Sequence, residues 1–301
     1  MKQFLSMRTA LAGVAALASV LGATQAVAGP ALDRMKQTGK IIIAHRESSV
    51  PFSYVLPDKR PVGYAVELCQ KIAEAVRKKI NVPTLTPEYL LVTPSNRIAA
   101  IAEGKADLEC GSTTNNAERR EKVAFTVPHF IAGARYMVRA DSKIEDLANF
   151  DGKKLVSTKG TTPLKVVTQA NKERLIGISV LEAPDHARAV EMVESGEADG
   201  FVMDDVLLFG LMAGRPDPSK LKVVGKFLTI EPLAIVLPKN DPEFKKIVDD
   251  EMKRLINSHE AYAIYDKWFL KPIPPKNTAI NLPMNHLLKD FWKFPTDRVP
   301  Y

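Results

Sequence analysis

Arg46 closes an apolar run, Ile41-Ile42-Ile43-Ala44-His45, and opens a polar turn, Glu47-Ser48-Ser49. A guanidinium at a strand end suits a carboxylate, because its planar fork matches two carboxylate oxygens. Three further strand ends vary the theme. Asp107 to Cys110 runs into Gly111-Ser112-Thr113-Thr114, with Arg119 a little beyond. Lys154 to Val156 runs into Ser157-Thr158-Lys159-Gly160-Thr161-Thr162, then a helix from Pro163. Gly200 to Met203 ends in Asp204-Asp205. Hydroxyls followed by a first-turn proline mark a helix start, and that end of a helix offers free N–H groups to an anion. An acid at a strand end suits an ammonium. Each segment alone reads as a turn, a cap or a solvated ion pair. Together they supply groups for one carboxylate, an acid for an amine, and spare arginines. That set describes an α-amino acid with an anionic side chain. Arg46, Arg97 and Arg119 against Asp204 leave a positive excess, which a neutral ligand would not match.

The elements that position these residues alternate strand and helix. Ala65 to Ile80 has apolar residues at 65, 68, 72, 76 and 80, the helical period. Asn96 to Glu103, Ala187 to Glu194 and Val206 to Met212 read as shorter helices. The phrase Glu103-Gly104-Lys105-Ala106-Asp107 recurs as Ser195-Gly196-Glu197-Ala198-Asp199, each time between a helix and a strand. Two βα lobes of α/β class with mostly parallel sheets follow. In such sheets a ligand sits outside the carboxyl ends of the strands. Arg135 to Arg139 is read as passing between lobes and Pro232 to Leu237 as passing back. Lobe 1 is then 29–135 with 233–301, and lobe 2 is 136–232. Pro242 to Ser258 and Glu260 to Leu270 read as helices. Lys271 to Tyr301 reads as a surface tail pinned by Phe291, Trp292 and Phe294, since disordered segments are poor in aromatics.

Residues 1–28 read as a cleaved export signal. Lys2 and Arg8 precede an apolar, Ala-rich run from Leu11 to Leu21, and Ala26-Val27-Ala28 is a small-x-small cleavage site. The run is too short to span a bilayer. The formal charge is +7, and Lys2 and Arg8 would leave with the signal. The remaining cations are scattered among acids without clustered aromatics, which argues against nucleic acid. Cys69 and Cys110 are the two cysteines. In an exported protein they form a disulfide, or they are two buried free thiols; both readings stay open. Neither has metal-ligand spacing and the five His residues form no cluster, so no metal or other cofactor is expected.

The chain resembles the periplasmic solute-binding proteins of ABC amino-acid importers, and most closely their glutamate/aspartate-binding branch. The carrying phrases are His45-Arg46-Glu47-Ser48-Ser49-Val50-Pro51-Phe52-Ser53-Tyr54, then Glu109-Cys110-Gly111-Ser112-Thr113-Thr114-Asn115-Asn116 with Arg119. Gly160-Thr161-Thr162, Asp185-His186 and Met203-Asp204-Asp205 add to it, as do Lys267-Trp268-Phe269 and Pro272 to Asn277. The resemblance implies two lobes joined by a two-strand hinge that close on the ligand. It implies that Arg119, Thr114 and Thr162 hold the α-carboxylate, and that Ser112 and Asp204 take the ammonium. Arg46, Arg97 and His186 would face the side-chain carboxylate. Arg97 and His186 enter on the resemblance alone. The implied partners are L-glutamate or L-aspartate and the permease subunits of the importer, with the protein acting as a periplasmic monomer. One departure stands out. The family pattern has a Ser three residues before Arg97, and this chain has Pro94, with Ser95 next. Lys159 also replaces a small residue, which would narrow the cleft or add charge. The competing readings are a periplasmic dehydratase on the same fold, using Glu47 or His186 as acid or base, and a ligand-sensing subunit of a membrane receptor.

Overall fold

The computed structural model describes residues 31–299; the expected signal peptide lies outside them. Two five-stranded sheets organise the chain. The first runs, in spatial order, Thr86–Leu91, Lys40–His45, Leu108–Glu109, Val236–Pro238 and Val123–Phe125. The second runs Ser179–Ala183, Lys154–Thr158, Gly200–Asp204, Ala134–Arg139 and Leu221–Val224. In both, the first three strands are parallel and the fourth runs antiparallel to the third. The two sheets share one topology.

The repeated Gly-x-Ala-Asp phrase has the same task in each lobe. Gly104 and Gly196 take φ of +70 and +78, the left-handed region that stops the preceding helix. Three residues on, Asp107 Oδ2 accepts from the Ile42 N–H at 2.7 Å. Asp199 Oδ2 accepts from the Lys154 N–H at 2.9 Å. Each acid thus fixes the start of the second strand of its sheet, whose far end carries site residues.

The lobes are joined by an antiparallel pair, Phe130–Ala132 with Glu231–Leu233. The stretch Arg135 to Arg139, expected to cross, is instead a strand of the second sheet. The return segment from Pro232 to Leu237 spans the crossing strand and the entry to the first sheet at Val236. The period-2 pattern of these short apolar strands does not reveal which of them crosses.

Lobe 1 buries the amphipathic helix Tyr64–Lys79 against Pro242–Asn257 and Glu260–Phe269. An aromatic cluster of Phe52, Tyr64, Phe130, Tyr265 and Phe269 supports the loop after Arg46. Cys69 and Cys110 form a disulfide, which decides the alternative left open by the sequence. It ties this helix to the base of the Gly111–Thr114 loop. The tail contains a helix, His286–Lys293, that the sequence reading did not anticipate. Trp292 is buried, and its indole N–H donates to the Pro128 carbonyl at 2.9 Å. Asn285 donates to Ile131 on the crossing strand at 2.7 Å. Phe294 is 85% exposed and pins nothing, because it falls past the last turn of that helix.

Candidate ligand-binding site

In lobe 1 the backbone aims two buried guanidinium groups at the seam. The Arg46 N–H donates to Ser53 Oγ at 2.9 Å, and its Nε donates to the Val92 carbonyl at 3.2 Å. Its Nη1 is buried without a partner. Arg97 opens the helix Arg97–Ala102; its Nη1 reaches the Ser112 carbonyl at 3.4 Å and its Nε has no partner. Gly111 is required where it stands: a Cβ there would lie 2.4 Å from Glu109 Oε1 and 2.9 Å from Arg46 Cγ. Thr113 Oγ1 donates to Glu109 Oε2 at 2.6 Å and holds that loop down. Asn116 caps the next turn by accepting from the Arg119 N–H at 3.0 Å. Arg119 then folds back, its Nη1 donating to the Thr114 carbonyl at 2.9 Å.

Lobe 2 presents three helix starts. Thr161 caps Thr162–Arg174 through its hydroxyl, with Pro163 in the first turn. Asp185 caps His186–Glu194, which places the His186 ring at the seam. There His186 Nδ1 pairs with Thr158 Oγ1 at 2.8 Å while Nε2 is buried and free. Asp204 occupies the cap position of Asp205–Ala213 but its side chain makes no cap bond. Asp205 takes that task, its Oδ1 accepting from the Val206 N–H at 2.8 Å. The doubled acid therefore divides the labour: one carboxylate caps, and Asp204 stays free with Oδ1 buried and unpartnered.

The lobes touch. Arg119 Nη2 donates to the Gly160 carbonyl at 3.3 Å, and Thr162 Oγ1 donates to Thr114 Oγ1 at 3.3 Å. The Ala187 N–H reaches Ser48 Oγ at 3.4 Å. A Cβ on Gly160 would lie 2.6 Å from Ser95 Cα, so only glycine permits this approach. Between the lobes is a small cavity of about 10 Å³, closed down to little more than a water's room, with Arg97, Ser112, Thr114, Thr162, His186 and Asp204 on its wall. Arg119 lines the adjoining cleft together with Pro94 and Ser95. Arg46 is on neither wall and lies behind, beside Glu109 and Gly111.

None of the three guanidinium groups is ion-paired with a described residue. Burial pushes the Arg46 guanidinium down to about 9, reinforced by Arg97 and opposed by Glu109. Burial and Arg97 push Arg119 down to about 10. Both remain cations at neutral pH. The Asp204 carboxyl is held well above the usual range by burial first, then by Glu231 and Asp205. His186 is held well below its usual range by burial and by Arg46 and Arg97, so it is a neutral imidazole. With Nδ1 turned to Thr158, its Nε2 is placed to donate to a carboxylate.

Three details correct the sequence reading. Glu109 and Glu231 are buried in the same cluster, so three acids stand with three arginines and the positive excess disappears. Glu109 was visible as an acid within a short buried strand; Glu231, in a connecting segment, gave no signal. Lys159 is exposed and faces Glu182 at 3.9 Å, so it neither narrows the cleft nor charges it. Ser95 is exposed and pairs with Thr93 Oγ1 at 2.9 Å, so its hydroxyl does not stand in for the one missing at Pro94, which is buried.

Two lobes of identical topology, a two-strand connection and a polar seam define a two-lobed solute-binding fold. Residues 41–271 match the model of bacterial extracellular solute-binding proteins, family 3, and the chain belongs to that family. It is 41% identical over 271 residues to the "Glutamate/aspartate import solute-binding protein" of Salmonella typhimurium, covering 90% of each chain. It is 40% identical over 268 residues to the "L-glutamate/L-aspartate-binding protein" of Pseudomonas aeruginosa, covering 89% of each. These relatives are named as binding proteins, not enzymes. Among solved structures, a mutant of ArgBP from T. maritima superposes with a TM-score of 0.70 at 24% identity, covering 79% of this chain and 98% of that one.

Proposed function

We propose that this protein captures L-glutamate or L-aspartate between its lobes and delivers it to the permease of an ABC importer. The observation that carries this is a set of buried polar atoms without partners at one seam. Nη1 of Arg46, Nε of Arg97 and Nε2 of His186 are free to meet a carboxylate, and Oδ1 of Asp204 is free to meet an ammonium. Buried polar atoms without partners are costly, and a ligand with matching groups relieves that cost. In this reading Arg119, Thr114 and Thr162 bind the α-carboxylate. Ser112 and Asp204 bind the ammonium. Arg97 and His186 bind the distal carboxylate, with Arg46 supporting them from behind. Glu109 and Glu231 balance the arginines, so recognition rests on the free ends of these side chains and not on net charge.

The direct contacts between lobes make the ligand the last component of a closed state, which a permease can distinguish from an open one. The remaining features belong to the same reading: a signal removed after residue 28 and a periplasmic monomer. The relatives' names point to the same two acids.

Isothermal titration of L-glutamate, L-aspartate and L-glutamine tests the reading. Both acids are expected to bind at least roughly thirtyfold more tightly than glutamine, since losing a charge-assisted contact to a buried partner costs about 2–5 kcal/mol. Equal affinity for glutamine overturns it.

A further inference from the structure

Glu231 lies on the second crossing strand, opposite Ala132 in register. Two residues beyond Ala132, Ala134 is paired with Asp204. On the other side, the Pro232 carbonyl accepts from the Asn115 N–H at 2.8 Å, and Leu233 bridges to Thr114. Glu231 therefore lies behind the cavity wall, between the end of the strand that carries Asp204 and the loop that carries Ser112 and Thr114. It is 1% exposed, and both of its carboxylate oxygens are buried without a partner. Its charged neighbours are Arg97, Arg119 and Asp204, and neither arginine makes an ion pair with it.

We propose that Glu231 is a second acid of the ammonium subsite, acting with Asp204 to make this site select amino diacids over diacids that lack an amine. The proposal rests on the function given above and deepens it. Two buried carboxylates with free oxygens, side by side, need a cation that the protein's own arginines do not supply by direct contact. The ammonium of an amino acid is such a cation. A diacid without it still satisfies Arg119 at one end and Arg97 with His186 at the other. It then leaves the free oxygens of Asp204 and Glu231 without a donor in the middle, and those unsatisfied buried groups are the basis of rejection. One acid would suffice to hold an ammonium; the pair is what makes its absence expensive.

Titration of wild type and Glu231→Gln with L-glutamate and with glutarate, its des-amino counterpart, tests this. The expected result is a fall in the glutamate-to-glutarate affinity ratio of roughly tenfold or more in the variant, because a full charge is removed beside the ammonium at short range. A purely structural role would weaken both ligands together, and an unchanged ratio overturns the proposal. Should Glu231→Gln fail to fold, Glu231→Asp carries the test. Its carboxylate is withdrawn by one methylene and the ratio is expected to fall several-fold; an unchanged ratio again overturns the proposal. If wild type binds neither L-glutamate nor L-aspartate, the functional reading fails and takes this proposal with it. If wild type binds glutamate and only the ratio is unmoved, the proposal fails alone.

Discussion

Gly210 separates the closed state from the fold itself. It lies inside the lobe 2 helix Asp205–Ala213, with ordinary helical backbone. A Cβ at this position would lie 2.3 Å from the Val50 carbonyl oxygen and 2.8 Å from its carbon, across the seam in lobe 1. Both atoms are backbone, so they cannot swing aside. Gly210→Ala thus has two effects of opposite sign. Alanine favours a helix interior over glycine by about 1 kcal/mol, whether the lobes are apart or together. The added methyl overpacks only the closed seam, at a cost of about 1–3 kcal/mol. Ligand affinity is reduced by the share of molecules that can close. The variant should therefore bind L-glutamate about 5- to 150-fold more weakly. Its ligand-free melting temperature should stay level or rise by about 2–4 °C. Calorimetry and thermal denaturation read the two effects separately. Wild-type affinity in the variant would refute the seam as a closing surface. A melting temperature that falls with the affinity would show that Val50 and Gly210 are in permanent contact.

Two further predictions follow from the site. Arg119→Ala is expected to weaken every amino-acid ligand, whereas Arg97→Ala and Arg46→Ala should weaken only those with a side-chain carboxylate; equal losses for a neutral ligand in all three would contradict the assignment. His129 is buried, and burial pushes it down to about 3, opposed by the backbone of Gly111. Below pH ~6.5 the unfolded chain takes up a proton that the folded one refuses, so stability falls by about 1.4 kcal/mol per pH unit for this group as pH drops toward its folded value. His186 acts in the same direction. Urea unfolding at pH 7 and pH 5 should show the loss, and His129→Leu should remove a large part of it; an undiminished pH slope would contradict the account.

Much of the frame was legible because local rules dictated it. The helix Tyr64–Lys79 follows from its apolar period, and Thr161 with Pro163 marks a helix start on sequence alone. The repeated Gly-x-Ala-Asp phrase gave the two lobes, and its aspartates prove to fix equivalent strand starts. Cross-lobe facts were not legible. That Asp205 rather than Asp204 caps its helix depends on side-chain rotamers. Glu231 joins the buried charged cluster behind the seam only because two crossing strands pair and bring it near the strand that carries Asp204. The crossing point itself was misplaced, since Ala134–Arg139 satisfies the second sheet by a pairing no local pattern announces. Of the expected anchors Trp292 is buried and Phe294 is not, because an unforeseen helix ends before Phe294 and aims Trp292 at the Pro128 carbonyl.

A crystal structure with L-glutamate tests the central claim most directly. The account predicts the α-carboxylate on Arg119, Thr114 and Thr162, and the ammonium within hydrogen-bond reach of Asp204. The distal carboxylate should meet Arg97 and the Nε2 of His186. A ligand bound in the reverse sense, or one that leaves Asp204 and Arg97 without a contact, would contradict it.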